Sequence, residues 1–167
     1  TSDAAQVNWG MRRTYQYHLS HFNWESYDNA GGSIDCTVGF NFIDDNGNVS
    51  GNNARWTWAD EDFDFGYGGS GINDSDSYTT LDIVAHEFTH GVDEFSANLD
   101  YSDESGALDE SFADVFGEIV EMATENNWTN PTWLHAEDRT NVNYHRSFIN
   151  PHHKKHHDTY SGNYWYS

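Results

Sequence analysis

The amino-acid sequence predicts an α+β fold, in which a β-rich first part is followed by two long helices. Apolar and polar residues alternate between residues 34 and 67, which is the period of β-strands. From about residue 79 to residue 125 the apolar period lengthens to that of amphipathic helices. The chain has 167 residues, of which 36% are apolar, enough for one domain with its own core. We therefore expect one domain in two parts, residues 1–78 and residues 79–167.

The first part is expected to begin with a helix over residues 3–21, with Ser2 or Asp3 as its N-cap. An apolar stripe at four-residue spacing supports this helix: Val7, Met11, Tyr15 and Leu19. Strands are expected at residues 34–42, 54–59 and 63–67. A hairpin turn is expected at Asp45-Asn46-Gly47, and the glycine-rich residues 66–71 are expected to form a loop.

The second part is expected to contain two helices. The first runs from Thr79 to about Ser96, with Thr79 and Asp82 as a variant of the capping box. The second runs from about Ser105 to Glu125 and is expected to turn its apolar residues inward: Leu108, Phe112, Val115, Ile119 and Met122. After Asn130-Pro131 the pattern weakens, and the last 35 or so residues are expected to be mostly loop.

The charge balance limits the partners of this protein. Asp and Glu number 28 against 7 Lys and Arg, so the formal net charge is −21. Such a charge repels nucleic acid and anionic membranes, which we exclude as partners, and it favours divalent cations. Cys36 is the only cysteine, so a disulfide within the chain is excluded. No apolar run approaches a membrane span and no signal peptide opens the sequence, so a secreted protein would be present in its mature form.

The most informative motif is His86-Glu87-Phe88-Thr89-His90, which has the pattern H-E-x-x-H inside a predicted helix. Four residues of helix turn the chain by about 400°, so His86 and His90 lie on one face, one turn apart. Two imidazoles in this arrangement can bind one Zn²⁺, and Glu87 lies beside them to accept a proton from metal-bound water. The motif therefore predicts a hydrolytic zinc site.

The second helix offers further carboxylates for this site. Glu110, Asp114 and Glu121 share one helical stripe, because offsets of 4 and 11 residues return to nearly the same angle. A catalytic zinc needs three protein ligands and an open position, so Glu110 is the candidate third ligand. Asp114 can accept the free N–H of a ligating histidine and so orient its ring.

Two segments together resemble the thermolysin family of zinc metalloproteases: Ala85-His86-Glu87-Phe88-Thr89-His90 and Glu104-Ser105-Gly106-Ala107-Leu108-Asp109-Glu110-Ser111-Phe112-Ala113-Asp114-Val115-Phe116-Gly117. The resemblance implies that Glu110 is the third zinc ligand and that Asp114 supports a ligating histidine. It also implies that Tyr101 helps to stabilise the tetrahedral intermediate.

The resemblance continues on both sides of these helices. Asn52-Asn53-Ala54-Arg55-Trp56 is similar to the family's edge strand, which implies that Asn53 and Ala54 hydrogen-bond the substrate backbone. Arg146-Ser147-Phe148-Ile149-Asn150-Pro151 is similar to a segment whose arginine, here Arg146, binds a substrate carbonyl.

The sequence departs from the family pattern in two respects. The family has a further histidine that hydrogen-bonds the transition state, in a helical half beyond Ser167, so the chain is expected to be a partial domain that a complementary C-terminal fragment completes. The cluster His152, His153, His156 and His157 is an alternative source of that imidazole. Asp82, Glu121 and Glu137 match acidic ligands of the family's double calcium site, but Thr132 and Leu134 stand where further acids are expected, so calcium there should be weaker, single or missing.

These observations predict a secreted zinc endopeptidase that acts on protein or peptide substrates. The alternative is a non-catalytic zinc-binding fragment or pseudoprotease that needs the missing half. Glu87 favours catalysis, because a structural zinc site needs no carboxylate base and normally closes its fourth position with protein.

Overall fold

The structure is a computed structural model that describes residues 2–44, 46–69, 77–139, 144–156, 159 and 163. It confirms the α+β fold. The elements in chain order are α1 (Asp3–Phe22), β1 (Asp35–Phe40), β2 (Phe42–Ile43), β3 (Val49–Ser50), β4 (Ala54–Thr57), β5 (Asp62–Gly66), α2 (Leu81–Phe95), α3 (Asp103–Glu125), β6 (Leu134–His135), β7 (Arg146–Ser147) and a 3₁₀ helix (Pro151–Lys154).

The largest sheet of the described chain has three strands in the order β1-β5-β4. The central strand β5 runs parallel to β1 and antiparallel to β4. Phe63 and Phe65 of β5 are fully buried on one face and Asp64 is buried on the other, so both faces of this central strand are covered. β4 forms one edge of this sheet, so one side of its backbone is open to a further strand-like partner.

The predicted hairpin is present as the antiparallel pair of β2 and β3. The Asp44 carboxylate accepts the backbone N–H groups of Asn46 and Asn48, each at 2.8 Å, which stabilises the turn. Asp45 lies outside the described residues. In the predicted glycine-rich loop, Gly66 still belongs to β5, and residues 70 and 71 lie outside the described residues.

The predicted apolar stripe of α1 was wrong in its second half. Val7 and Met11 are buried, but Leu19 is 39% exposed, and the buried positions continue through Thr14 and His18. The reason is geometric. Each step of four residues overshoots a full turn by about 40°, so a stripe at constant four-residue spacing drifts off the face that packs against the core.

Two predictions about the second part were also wrong in detail. Thr80, not Thr79, is the N-cap residue of α2, and the Thr79 hydroxyl instead donates to Gln6 Oε1 of α1 at 3.0 Å. On α3 the predicted inward face is largely open: Leu108 and Phe112 are 46% and 44% exposed. The face of α3 that is buried carries small and acidic residues, including Asp109, Asp114, Glu118 and Glu121, because it packs against the polar face of α2.

α2 is the central element of the fold, and Ile83, Val84 and Phe88 on it pack into the main core. That core also takes Val7 and Met11 from α1 and Phe63 and Phe65 from β5. It therefore draws side chains from both sides of residue 78, and the division of the domain there stays a prediction. The region after residue 130, expected to be mostly loop, contains the short antiparallel pair β6–β7 and the 3₁₀ helix. No described helix is long and apolar enough to cross a membrane.

Candidate metal centre

Three predicted ligands meet where α2 packs against α3. His86 and His90 are buried, and their Nε2 atoms lie 3.0 Å apart. Glu110 faces them from α3, with Oε2 3.4 Å from His86 Nε2 and Oε1 3.8 Å from His90 Nε2. The structure therefore brings together one candidate ligand atom from each of the three side chains.

The spacing of these atoms fits a zinc ion. Zinc holds nitrogen and oxygen ligands at about 2.1 Å, so two ligand atoms of a tetrahedral site are roughly 3.4 Å apart. The two Nε2 atoms are 3.0 Å apart, and each lies near a different oxygen of Glu110, at 3.4 Å for His86 and 3.8 Å for His90, so these distances lie around that value. Two imidazoles and one carboxylate are also the donor set of hydrolytic zinc enzymes, in which the fourth position is left for water.

Carboxylates on α3 hold both imidazole rings from behind. His86 Nδ1 lies 2.9 Å from Asp114 Oδ1, as the sequence predicted for Asp114. His90 Nδ1 lies 3.0 Å from Asp109 Oδ1, a contact that the sequence analysis missed. Such partners orient the rings and make Nε2 the metal-facing nitrogen. Asp109 was missed because it directly precedes Glu110, and adjacent helix residues point about 100° apart, off the predicted stripe.

The charges of this cluster are mutually dependent. Burial lowers the pKa of His86, but the Asp114 and Glu110 carboxylates outweigh burial and raise this pKa to about 10. Burial raises the pKa of Glu110, but His86 and Tyr101 outweigh it and lower this pKa to about 2. The pKa of Asp114 is likewise held well below its usual range, against the effect of burial, by His86 and by the charge of Arg146. The carboxylates therefore favour a positive charge between them, which a bound cation also supplies.

Glu87, the predicted general base, is buried on α2. Its Oε2 accepts the backbone N–H of Trp56 in β4 at 3.0 Å, which fixes the carboxylate beside the edge strand. Burial raises the pKa of Glu87 above its ordinary value. This position makes Glu87 a stronger base than an exposed glutamate.

Tyr101 and Arg146, which the resemblance assigned to the substrate carbonyl, also reach the centre. The Tyr101 hydroxyl donates to Glu110 Oε1, and Tyr101 is 51% exposed. Arg146 Nη2 donates to Asp114 Oδ1 at 2.6 Å. Both donors therefore lie at the candidate zinc ligands or their partners, within reach of a molecule bound in front of them.

A cleft of about 870 Å³ opens over the centre. The predicted substrate-binding residues Asn53 and Ala54 line it from β4, and the three candidate zinc ligands and Glu87 line it from the helices. Tyr101, His135, His145 and Arg146 complete the wall near the metal centre. The edge strand and the candidate reacting groups thus face the same space.

The predicted calcium ligands Asp82, Glu121 and Glu137 lie near one another. Burial and then the Asp82 and Glu137 carboxylates raise the pKa of Glu121. Among the described residues, Asp82 groups with Glu118 and His135, and Glu121 groups with Glu125 and Asp138. Glu137 instead accepts the Thr132 hydroxyl at 2.5 Å. A calcium site made jointly by Asp82, Glu121 and Glu137 stays a prediction.

The histidine cluster near the end of the chain lies on and after the 3₁₀ helix. His153 contacts the Tyr144 hydroxyl, and His152 and His156 are exposed. His157 lies outside the described residues. None of the three described histidines lines the cleft, so the structure gives no support to a role for them at the metal centre.

Comparison with known proteins identifies the family. A family model described as the catalytic domain of thermolysin metallopeptidase matches residues 1–94, and one described as the alpha-helical domain of the same family matches residues 97–167. An extracellular elastase of Staphylococcus epidermidis is 41% identical over 119 residues, which is 69% of this chain and 22% of that protein. The neutral protease NprE of Bacillus pumilus is 36% identical over 114 residues, 68% of this chain and 35% of that protein.

A solved structure shows the same fold. The precursor of protealysin, a metalloproteinase from Serratia proteamaculans, superposes with a TM-score of 0.71 at 27% identity, over 87% of this chain and 44% of that one. The chain thus spans less than half the length of the proteins it matches. With family models matching both its halves and relatives up to 41% identical, the chain belongs to the thermolysin family of metallopeptidases.

Proposed function

We propose that this chain is the zinc-binding part of a secreted endopeptidase that hydrolyses peptide bonds in proteins or peptides. The observation that carries the proposal is the convergence of His86, His90 and Glu110 in one cleft, with buried Glu87 beside them. The family supports a metallopeptidase activity. Secretion is supported by the relative named extracellular elastase.

His86, His90 and Glu110 would hold the zinc, with Asp114 and Asp109 orienting the two imidazoles. When bound, Zn²⁺ supplies Lewis acidity, which polarises a carbonyl and lowers the pKa of a water molecule towards about 7. Glu87 would accept the proton of the attacking water. Trp56 N–H holds only its Oε2, so Oε1 remains for this transfer and for delivery of the proton to the leaving amine.

Tyr101 and Arg146 would donate hydrogen bonds to the substrate carbonyl as negative charge develops on its oxygen. To do so, the Tyr101 hydroxyl exchanges its present acceptor Glu110 for the substrate oxygen. The substrate would lie extended along β4 and pair with the main chain of Asn53 and Ala54. Main-chain pairing of this kind ignores side-chain sequence, so the substrates are peptides of varied sequence.

The experiment is hydrolysis of an internally quenched fluorescent peptide by the pure chain with one equivalent of zinc. We expect Glu87→Gln to retain zinc and to lose at least about 100-fold in kcat/KM, because a positioned general base contributes about 10²–10⁴-fold. Glu104→Gln, which changes an exposed carboxylate in the first turn of α3, is the matched control and should remain active. Activity that survives Glu87→Gln or thorough chelation would refute the proposed mechanism.

A second candidate function is a zinc-binding piece that hydrolyses nothing until a complementary segment joins it. The observation in its favour is that the chain spans 22% of the elastase, 35% of the neutral protease and 44% of the protealysin precursor. In that case the wild-type chain and Glu87→Gln would bind zinc equally and both be inactive alone. Activity would appear only when the wild-type chain is mixed with the remaining part of a family member.

A further inference from the structure

A second cluster of candidate ligands lies behind the zinc centre, where α2, α3 and β6 meet. Asp82 is in the first turn of α2, Glu118 is near the middle of α3, and His135 is in β6. All three residues are buried, with 0%, 1% and 3% of their surfaces exposed. Three groups that prefer water have therefore been packed together from three separate elements.

One polar atom of each residue in this cluster lacks a hydrogen bond. Asp82 Oδ1 and Glu118 Oε1 are each buried without one, and the carboxylate oxygen nearest to His135 Nδ1, Asp82 Oδ2 at 3.3 Å, lies outside hydrogen-bond geometry. Native proteins pair nearly all their buried polar atoms, so unpaired atoms gathered at one point favour a bound ion or a buried water there. Asp82 Oδ2, by contrast, accepts the backbone N–H of Ala136, which holds the carboxylate in place beside His135.

The geometry of the cluster is that of a metal site. His135 Nδ1 lies 3.3 Å from Asp82 Oδ2 and 3.9 Å from Glu118 Oε1, and one ligand atom from each of the three residues lies within 4.8 Å of the others. Ligand atoms held at about 2.1 Å from one zinc-sized ion are roughly 3.4 Å apart, so small rotations of these side chains suffice to close around an ion.

We propose that Asp82, Glu118 and His135 form a second cation site, specific for a divalent transition metal such as Zn²⁺, Cu²⁺ or Ni²⁺ rather than for Ca²⁺. The imidazole decides the class of ion, because calcium takes oxygen ligands, whereas imidazole nitrogen suits zinc, copper and nickel. The site shares Asp82 with the calcium set predicted from the family, but replaces its other acids by Glu118 and a histidine. It is independent of the proposed peptidase function.

The charges around the cluster agree with this assignment. His135 Nδ1 faces the carboxylates of both Asp82 and Glu118, so the imidazole can offer the lone pair of this nitrogen to a metal held between them. Burial and the nearby Asp82 and Glu137 carboxylates raise the pKa of Glu118 to about 9. A divalent ion would relieve this repulsion. It would also join α2, α3 and β6 through one centre, so we assign it a structural role.

The test is the zinc stoichiometry of the full chain, measured by equilibrium dialysis and elemental analysis at neutral pH. We expect two equivalents per wild-type chain, and one equivalent for Glu118→Gln and for His135→Leu. Glu104→Gln, the exposed carboxylate on the same helix, should keep two. A wild-type chain that binds only one equivalent would overturn the proposal. The buried polar atoms of the cluster would then be satisfied by a water molecule or by a shared proton. If both variants still bind a second equivalent of zinc, the second site lies elsewhere in the chain, which would also overturn the proposal.

A measurement on the wild-type chain alone covers the case in which a variant does not fold. Cadmium-113 substitution should give two NMR resonances per chain, and a single resonance would overturn the proposal. Calcium competition tests the ion class. We expect a hundredfold excess of Ca²⁺ over Zn²⁺ to leave both equivalents of zinc bound. Displacement of one equivalent by calcium would overturn the transition-metal assignment.

Discussion

Each imidazole of the candidate zinc centre is supported by its own carboxylate, and both carboxylates come from α3. Asp114 serves His86 and Asp109 serves His90, at 2.9 and 3.0 Å. These acids do not face the proposed metal position. By binding Nδ1 they leave Nε2 of each histidine to face that position, and they prevent the imidazole rings from rotating. At the scale of single residues, the affinity of the proposed zinc centre should therefore depend on Asp109 and Asp114, which contact the ligands and not the metal position.

Replacing Asp109 should weaken zinc binding. We expect Asp109→Ala to raise the zinc Kd by about 10–100-fold, because the His90 ring loses the partner that orients it. Asp109→Asn should fall between this variant and the wild type, since the amide oxygen can still accept from Nδ1–H. The measurement is competition with a chromophoric chelator. Ser111→Ala, an exposed change on the same helix, is the control, and equal affinities for Asp109→Ala and Ser111→Ala would contradict the prediction.

His18 should make the stability of the protein depend on pH. It is 2% exposed, lies against the Phe22, Phe88 and Phe116 rings, and has its pKa lowered by burial. Below about pH 6.5 the unfolded chain binds a proton at His18 that the folded chain does not, so stability falls as pH falls. The loss continues down to the lowered folded pKa, at up to about 1.4 kcal/mol per pH unit.

Urea unfolding at pH 7.5 and pH 5.5 tests this prediction. The free energy of unfolding of His18→Leu should fall less between the two pH values than that of the wild type. Both proteins carry the same zinc ligands, so the effect of zinc release cancels in the difference. His21→Leu, an exposed position on the same helix, should follow the wild type. Parallel pH profiles for His18→Leu and the wild type would argue against the assignment.

The centre exists because α2 and α3 pack closely along their polar faces. Gly117 of α3 lies against the first turn of α2, where a Cβ would come within 2.7 Å of the Asp82 carbonyl oxygen. Contacts that short are not sustained, so any larger residue pushes the two helices apart. At the scale of elements, one glycine thus sets the distance at which Glu110 meets the histidines.

Gly117→Ala should destabilise the fold in spite of the better helix propensity of alanine. We expect a loss of about 1–3 kcal/mol in the free energy of unfolding, the usual cost of overpacking. We also expect weaker zinc binding, since the ligands come from both helices. Ser111→Ala, on the exposed face of α3, should change the urea midpoint little. A Gly117→Ala protein as stable as Ser111→Ala would mean that the helices adjust freely.

The whole molecule carries a net charge of −21, and its carboxylates repel one another in the compact state. A few of them are paired, such as Asp64, which lies 2.8 Å from Arg55, but 7 basic residues cannot neutralise 28 acids. The fold therefore tolerates strong repulsion, and screening should relieve it.

Stability should consequently rise with ionic strength. Raising monovalent salt from about 10 mM to 1 M shortens the Debye length from about 30 Å to about 3 Å, which removes most of the repulsion between surface charges. We expect a higher thermal midpoint in the zinc-loaded chain. Tetramethylammonium chloride should act like sodium chloride, because screening requires no coordination of the cation. A midpoint that falls or stays constant with salt would show that ion pairs outweigh the net repulsion.

Much of the centre was predictable from local spacing. His86, Glu87 and His90 were predicted from the four-residue spacing of the two histidines on one helix. Glu110 and Asp114 were predicted from the same spacing on the next helix. The strands and both long helices were predicted for the same reason, since the backbone geometry of an element sets its periodicity whatever packs against it. Their ends differed by a few residues, because caps depend on contacts such as that of Thr79 with Gln6.

Other features depended on packing between distant parts of the chain. The inward face of α3 was predicted to be apolar, and Met122 is buried as predicted, but much of this face is acidic because α2 presents His86, His90 and Asp82 to it. Asp109 finds its partner across the helix pair, and the Asp82, Glu118 and His135 cluster joins residues up to 53 positions apart. Periodicity predicts which residues share one face of an element. Which neighbour that face contacts is decided only when the elements pack, because the energies of those contacts depend on two elements that are distant in the sequence.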